Sequence, residues 1–284
     1  MKTHKKKFNV RLVVQLAFLI LIALVAVNHT LEESGAGLPL IGSASLHALC
    51  PFGGVVSLYQ FAAVGSMVQK THESSFVLMA IVFVLAIAFG PVFCGWVCPM
   101  GTVQELVSRI GRKLFRKRHN TFIPYTLDRV LRYLRYVVLA WVVWVTARTG
   151  TLVFSDYDPY FTLFNFWTGE VALSGIIILA TVLVASLFVE RPFCKYACPY
   201  GAVLGLFNLF RLFGIKRKAS TCISCKACDK ACPMNIKVST AGTVRNHQCI
   251  SCLKCTSEQR CPVDATVEFA IGRIDTKKLE ATHA

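Results

Sequence analysis

Four stretches of the chain are almost continuously apolar: residues 10–28, 76–93, 133–147 with their flanks, and 171–189. A helix needs about 20 mostly apolar residues to cross the hydrocarbon layer of a bilayer. The pattern therefore predicts four transmembrane helices. A fifth apolar stretch, residues 51–68, is interrupted by three glycines and by Gln60, and we interpret it as an interfacial or re-entrant helix.

The basic residues alternate with the apolar stretches. Lys and Arg number five in residues 1–11, one in 29–73, nine in 94–135, one in 148–170 and fifteen in 191–284. Segments rich in Lys and Arg stay on the cytoplasmic side of a membrane. The alternation predicts a multi-pass protein of the cytoplasmic (inner) membrane with both termini in the cytoplasm. A fifth span would place the basic cluster at 109–118 on the wrong side.

Composition favours the same class of protein. Hydrophobic residues make up 55% of the chain and charged residues 16%, against about 45–50% and 25% in soluble domains. The net charge of +16 would suggest nucleic acid as a partner in a soluble protein. Here the basic residues flank apolar stretches, so we expect the lipid bilayer as the partner and no nucleic acid.

Two cysteine runs lie near the C-terminus. The first has the spacing C-x2-C-x2-C-x3-C-P and the second C-x2-C-x2-C-x5-C-P. The first matches the bacterial two-cluster ferredoxin spacing, in which the fourth cysteine of each run ligates the other cluster. The predicted ligand sets are Cys222, Cys225, Cys228 and Cys261 for one [4Fe-4S] cluster, and Cys249, Cys252, Cys255 and Cys232 for the other.

Zinc and disulfides are the alternatives for these cysteines. Zinc usually takes two separated pairs of ligands rather than two triplets each followed by Cys-Pro. Disulfides need an oxidising compartment, and the predicted topology places the runs in the cytoplasm. We therefore favour iron–sulfur clusters and electron transfer.

A second cysteine pattern, Phe-Cys-x-aromatic-x-Cys-Pro-x-Gly, occurs twice, 100 residues apart, at the cytoplasmic ends of two apolar stretches. This spacing predicts an internal parallel repeat of two helix pairs. Facing motifs would supply four thiols, enough for an iron or zinc ion or for a cluster. The alternative is that small buried cysteines only pack between helices. The candidate residues are Cys94, Cys98, Cys194 and Cys198. A related Cys-Pro at Cys50 is interpreted as a structural turn, with a relic of the repeat or an outward thiol site as alternatives.

The stretches 102–118 and 200–218 mix apolar and basic residues at helical spacing. They predict helices that lie on the anionic inner leaflet or pack against the C-terminal domain. The predicted domains are a four-helix transmembrane domain over 1–215 and a cytoplasmic two-[4Fe-4S] domain over 216–284. The predicted fold is an α-helical polytopic membrane protein with a C-terminal α+β bacterial two-cluster ferredoxin-like domain.

The two Phe-Cys-x3-Cys-Pro motifs on four spans, followed by the two-cluster tail, resemble the NapH-type membrane ferredoxin family. That family includes the quinol dehydrogenase component associated with periplasmic nitrate reductase. The resemblance implies a membrane-bound electron carrier between the quinone pool and redox partners, with two [4Fe-4S] clusters. The stretched second run departs from the family pattern and leaves the geometry of Cys261 less well defined.

The expected function is therefore that of an iron–sulfur oxidoreductase subunit of the quinol dehydrogenase type. One alternative is a quinone-independent relay from a cytoplasmic ferredoxin to an exported flavoprotein or cytochrome. Another is a membrane protein for redox sensing or maturation. No haem b is expected, because none of the four apolar stretches contains a histidine. Weak candidates for contact with a quinone head are His47, His72, Glu73, Asp156 and Asp158.

Overall fold

The computed structural model describes residues 10–33, 73–149, 157–166, 171–263 and 265–271. These residues are mostly helical. The helices are α1 (Val10–Glu33), α2 (Glu73–Phe89), α3 (Pro99–Phe115), α4 (Tyr125–Leu131), α5 (Leu134–Thr149), α6 (Pro159–Asn165), α7 (Leu173–Phe188), α8 (Pro192–Tyr196), α9 (Pro199–Phe207) and α10 (Ala227–Ala231). Two strands, β1 (Phe213–Arg217) and β2 (Val267–Ile271), form an antiparallel pair.

Among the described residues, two helical segments are long and apolar enough to cross a bilayer, Val10–Asn28 and Tyr125–Thr149. The second includes α4 and α5, which are separated by a turn at residues 132–133. The apolar helices Val77–Phe89 and Leu173–Phe188 coincide with the other two predicted spans but are shorter. All four carry exposed apolar side chains, for example Leu24, Val84, Val137 and Ile177. Two of the four predicted spans are therefore long enough to cross a bilayer, and the other two are shorter helices.

The helices pack around α3, which contacts α1, α6 and α7. Gly111 allows the closest of these approaches, because a Cβ at this position would lie 1.9 Å from the backbone oxygen of Leu187. The side chains of Gln104, Glu105 and Ser108 point into the interior from the same helix. The prediction that residues 102–118 are helical is confirmed by α3 and by a 3-10 turn at Arg116–Arg118. The two predicted placements of this helix, on the inner leaflet or against the C-terminal domain, stay predictions.

The second helix predicted at the membrane surface, over 200–218, is wrong beyond Phe207. Residues 213–217 instead form β1, whose Phe213 pairs with Ile271 and whose Ile215 pairs with Phe269. Ile215 is buried, and the aromatic rings of Phe213 and Phe269 stack at 5.9 Å. Packing between the two strands outweighs the local helical pattern. The domain boundary predicted between residues 215 and 216 falls inside this strand, so we call residues 213–271 the C-terminal lobe.

The lobe and the helices share one hydrophobic core. Val82, Val142 and Leu204 of the helices belong to the same buried cluster as Met234 and Ile250 of the lobe. A continuous core fixes the lobe against the helices, because separating them would expose apolar surface to water. The cysteine runs of the lobe are therefore held at a defined position relative to the cysteines that follow α2 and α7.

Candidate metal centres

Both cysteine runs of the lobe have the same backbone shape. The residues on either side of the middle cysteine have left-handed φ angles: 54° at Ser224 and 55° at Lys226 in the first run, 46° at Ser251 and 55° at Leu253 in the second. A helical turn follows each, α10 in the first run and a 3-10 turn at Lys254–Thr256 in the second. Left-handed residues other than glycine are strained and concentrate at functional sites. The repeated strain indicates loops shaped to present three thiols to a common centre.

Four cysteines of the lobe form a group that we call the lobe-core set: Cys232, Cys249, Cys252 and Cys255. Cys232 is half-buried and the other three are buried. Every pair among their sulfur atoms lies within electrostatic range. Burial, then the nearby Cys252, raises the pKa of the Cys232 thiol to about 12. Arg211 lies with Nη1 3.6 Å from Cys249 Sγ, and the Ile236 amide donates to Cys232 Sγ at 3.4 Å. The structure thus brings together the four cysteines that the spacing assigns to one cluster.

The other four line one small cavity, and we call them the lobe-edge set: Cys222, Cys225, Cys228 and Cys261. Cys225 is exposed to solvent and Cys228 is buried. Burial and the carboxylate of Asp229 raise the pKa of Cys228 to about 11. Cys261 lies in this group even though its run is two residues longer. The lobe-edge set is therefore the one of the two that opens to solvent.

The repeated Phe-Cys-x3-Cys-Pro motifs adopt matching local structures. In each, the first cysteine lies in a short helical turn, Phe93–Val97 for Cys94 and α8 for Cys194. The second cysteine precedes a new helix whose first residue is proline, α3 after Cys98 and α9 after Cys198. Proline suits the first helical position because its fixed φ fits and no amide hydrogen is lost there.

All four of these sulfur atoms lie within electrostatic range of one another, and we call them the membrane-edge set. The Gly201 amide donates to Cys198 Sγ at 3.3 Å and Gln104 Nε2 lies 3.5 Å from Cys194 Sγ. Burial, then the neighbouring Cys194, raises the pKa of Cys98 to about 12. Cys94 and Cys194 are buried, and Cys98 and Cys198 are half-buried. Four such sulfur atoms, two of them with amide hydrogens directed at them, fit an iron–sulfur cluster, whose iron would supply the positive charge that thiolates need here.

The membrane-edge and lobe-core sets are joined by a direct backbone contact. A Cβ at Gly95, the residue after Cys94, would lie 2.3 Å from the carbonyl oxygen of Ile250 and 3.4 Å from Cys252 Cα. Next to it, Trp96 Nε1 donates to the Ser251 carbonyl at 3.1 Å. The two thiol sets are therefore adjacent, with no intervening layer of side chains at this point.

A buried carboxylate that the sequence did not single out connects α1, the segment after α7 and the C-terminal lobe. Glu105 of α3 forms ion pairs with Arg11 of α1 at 2.7 Å, Arg191 at 2.8 Å and Lys254 of the lobe at 3.0 Å. Although burial opposes its charge, these cations, Arg191 first, hold the pKa of Glu105 well below its usual range. Arg191 also donates to the Cys94 carbonyl at 2.5 Å. The signal available in the sequence is that Glu105 is the one acidic residue among residues 94–118.

The other candidate residues are not members of these sets. Asp158 caps α6 by accepting a hydrogen bond from the Tyr160 amide at 3.0 Å, and burial raises its pKa to about 6. Glu73 begins α2. His47, Cys50, His72 and Asp156 lie outside the described residues. Within the described ranges, no three His, Cys, Asp or Glu side chains form a single-ion site.

Comparison with known proteins adds to this geometry. A family model described as "4Fe-4S binding domain" matches the chain twice, at residues 71–118 and 171–219. Each match contains one Phe-Cys-x3-Cys-Pro motif. The ferredoxin-type protein NapH of Haemophilus influenzae is 29% identical over 184 residues, 62% of this chain and 61% of that protein. The chain belongs to the NapH-type membrane ferredoxin family.

Other relatives extend the comparison of this NapH-type chain. Protein MJ0750 of Methanocaldococcus jannaschii is 34% identical over 217 residues, which are 76% of this chain and 84% of that protein. YccM of Escherichia coli, provisionally named an electron transport protein, is 30% identical over 229 residues, 78% of this chain. That alignment spans 63% of YccM, less than two thirds of its length. No solved structure matches the chain.

Proposed function

We propose that this NapH-type chain is a membrane-bound electron carrier whose three thiol sets each hold an iron–sulfur cluster. The observation that carries the proposal is the order of the sets: lobe-edge at the solvent, lobe-core in the interior, membrane-edge beside the apolar helices. Bound clusters supply one-electron exchange, with potentials tuned by charge, hydrogen bonds and exposure. The chain contributes the thiols, the buried Arg191 and Arg211, and the contact at Gly95.

The membrane placement is part of this proposal. We propose that α1, α2, α5 and α7 cross the bilayer, with both termini on the cytoplasmic side. Support comes from the exposed apolar side chains on all four helices. It comes also from the Lys and Arg residues, which are dense in the segments placed in the cytoplasm and sparse in those placed outside. The two matches to one family model, each ending after a Cys-Pro motif, support an internal repeat of two helix pairs.

We further propose that the chain is a quinone-linked oxidoreductase subunit. The support is the family membership and the position of the membrane-edge set at the ends of apolar helices, where a lipid-soluble carrier can approach. Redox partners in the cytoplasm would exchange electrons at the lobe-edge set, which opens to solvent. The purified, fully loaded chain should then be reduced by a quinol analogue in an anaerobic titration. If a quinol does not reduce the clusters and a quinone does not oxidise them, the chain has no quinone-linked step.

Iron and acid-labile sulfide per chain test the number of centres. Two four-iron clusters give about eight irons, and occupation of the membrane-edge set raises this number. The Cys94→Ser/Cys194→Ser variant should lose the additional iron and keep the low-temperature EPR signals of the lobe. Cys50→Ser, which changes a cysteine outside the three sets, is the matched control and should keep all of the iron. About eight irons in both proteins would contradict a cluster at the membrane-edge set.

A further inference from the structure

Helix α3 carries a buried glutamine directly beside the membrane-edge set. The side chain of Gln104 is 0% exposed, and its Nε2 lies within hydrogen-bond distance of Cys194 Sγ, at 3.5 Å. Gln104 follows the first Cys-x3-Cys-Pro motif along the chain, whereas Cys194 belongs to the second. This contact therefore joins the two motifs at their thiols.

The orientation of the Gln104 amide is fixed by its other two partners. Its Oε1 accepts a hydrogen bond from the Phe193 amide at 3.0 Å, and its Nε2 donates to the Met100 carbonyl at 3.2 Å. A side-chain amide nitrogen carries two hydrogens, so the second one can point at Cys194 Sγ. If the amide were turned over, its oxygen would face the Met100 carbonyl and the sulfur, and two donors would meet at Phe193. Gln104 therefore presents an N–H group, not an oxygen, to the thiol.

The second motif has an apolar residue at the position equivalent to Gln104. This residue, 100 positions further along the chain, is Leu204, and it is also 0% exposed. Burial of an amide is unfavourable unless its polar atoms are hydrogen-bonded, so packing alone favours leucine at such a position. Within the part of the chain that the structure describes, no hydrogen bond reaches the sulfur of Cys94, the cysteine equivalent to Cys194. Of these two equivalent thiols, only Cys194 thus receives a side-chain donor among the described residues.

A hydrogen bond to a ligand sulfur influences the reduction potential of an iron–sulfur cluster. Reduction adds negative charge to the cluster and its sulfur atoms, and an N–H group directed at a sulfur stabilises that charge. The effect is larger in a buried site, because the low local dielectric strengthens the hydrogen bond. The buried Arg191 lies within electrostatic range of Cys94, Cys98 and Cys194, so its positive charge acts in the same direction on most of the set. Gln104 adds a local contribution at one sulfur.

We propose that Gln104 is a positioning residue that raises the reduction potential of the membrane-edge centre through its hydrogen bond to Cys194. An electron that passes from the lobe-core centre to the membrane-edge centre oxidises the first and reduces the second. A higher potential at the membrane-edge centre favours transfer in this direction, towards the apolar helices. The inference rests on the proposed function, because it requires a cluster at the membrane-edge set.

The test is a redox titration of the full chain in detergent, followed by low-temperature EPR, with iron and labile sulfide measured first. The signal of the membrane-edge centre is the one that Cys94→Ser/Cys194→Ser lacks. Gln104→Met keeps a side chain of similar length and removes the N–H donor. It should keep the iron and lower the potential of that signal, by about 59 mV if the preference for the reduced form falls tenfold. Ser108→Ala is the matched control, because it removes a buried hydrogen bond one turn further along α3, to the Ser186 carbonyl at 2.8 Å, and should leave the potential unchanged.

A second measurement does not depend on the variant. Protein labelled with ¹⁵N in its glutamine side chains should show a nitrogen hyperfine coupling in the reduced membrane-edge signal, because among the described residues Gln104 is the one glutamine that hydrogen-bonds a sulfur of this set. Absence of the coupling would overturn the role of Gln104. An unchanged potential in Gln104→Met with its iron retained, or an equal shift in Ser108→Ala, would overturn it as well. A chain without a membrane-edge signal would instead contradict the proposed function, and this inference with it.

Discussion

Gly95→Ala tests the contact between the membrane-edge and lobe-core sets. The added Cβ would lie 2.3 Å from the Ile250 carbonyl oxygen, whereas ordinary contacts begin at 3.4 Å. The lobe must therefore move by about 1 Å, because the atoms on both sides are backbone and no side chain can rotate away. Overpacking of this kind costs about 1–3 kcal/mol. We expect lower stability and a weaker magnetic interaction between the two neighbouring centres.

The measurements are thermal unfolding in detergent and low-temperature EPR of the reduced protein. Gly201→Ala is the matched control: it is the same substitution at the end of the second motif, where the nearest atoms to a new Cβ are 3.6 Å away. The control should unfold at the wild-type temperature and keep the wild-type spectrum. If Gly95→Ala behaves like the control in both measurements, the lobe does not dock on the first motif as the structure shows.

Three further predictions concern charge. Glu105→Gln leaves several cations without their shared carboxylate and should lower the free energy of unfolding by about 3–5 kcal/mol. Glu268→Gln, in the exposed pair with Lys218, is the control and should lower it by less than about 1 kcal/mol. Similar losses in the two variants would refute the buried network around Glu105. Burial, then Arg135, lowers the pKa of His247 from 6.5 to about 4, so its contribution to stability is full above pH 6.5 and is lost as the pH falls towards 4. The unfolding temperature should therefore drop between pH 7 and pH 5, and the drop should be smaller in His247→Gln; parallel curves would contradict this. Arg211→Gln removes a positive charge 3.6 Å from Cys249 Sγ and should lower the lobe-core potential, by about 60 mV if the lost interaction is worth a factor of ten; an unchanged potential in a redox titration would argue against the assigned site.

Much of the architecture could be predicted because its signals are local. Apolar runs predicted helices at the positions of α1, α2, α5 and α7, and cysteine spacing predicted which thiols of the lobe lie together. The helix predicted over 200–218 failed after Phe207 for a non-local reason. Its last residues pair with β2, 50 to 58 positions away, and no local pattern contains that partner.

The charged residues between the thiol sets were not predicted for a similar reason. Arg11, Glu105, Arg191 and Lys254 are spread over more than 240 positions, and each resembles an ordinary basic or acidic residue at a membrane surface. Their burial follows from docking of the lobe on the helices. Gln15 gives a partial signal, since an amide within an apolar stretch needs a partner, and it donates to the Gly95 carbonyl at 3.2 Å.

The two Cys-x3-Cys-Pro motifs differ at one position that explains where the lobe docks. The residue after the first cysteine is Gly95 in one motif and Lys195 in the other. Gly95 lets the Ile250 backbone approach, whereas the buried Lys195 extends to Asp128 of α4 at 2.6 Å. A lysine at position 95 would occupy the space where the lobe contacts the first motif. A glycine at position 195 would leave Asp128 without this cation. The difference between Gly95 and Lys195 thus makes the two motifs of the repeat unequal. The first motif contacts the lobe-core set, and the second forms an ion pair with helix α4.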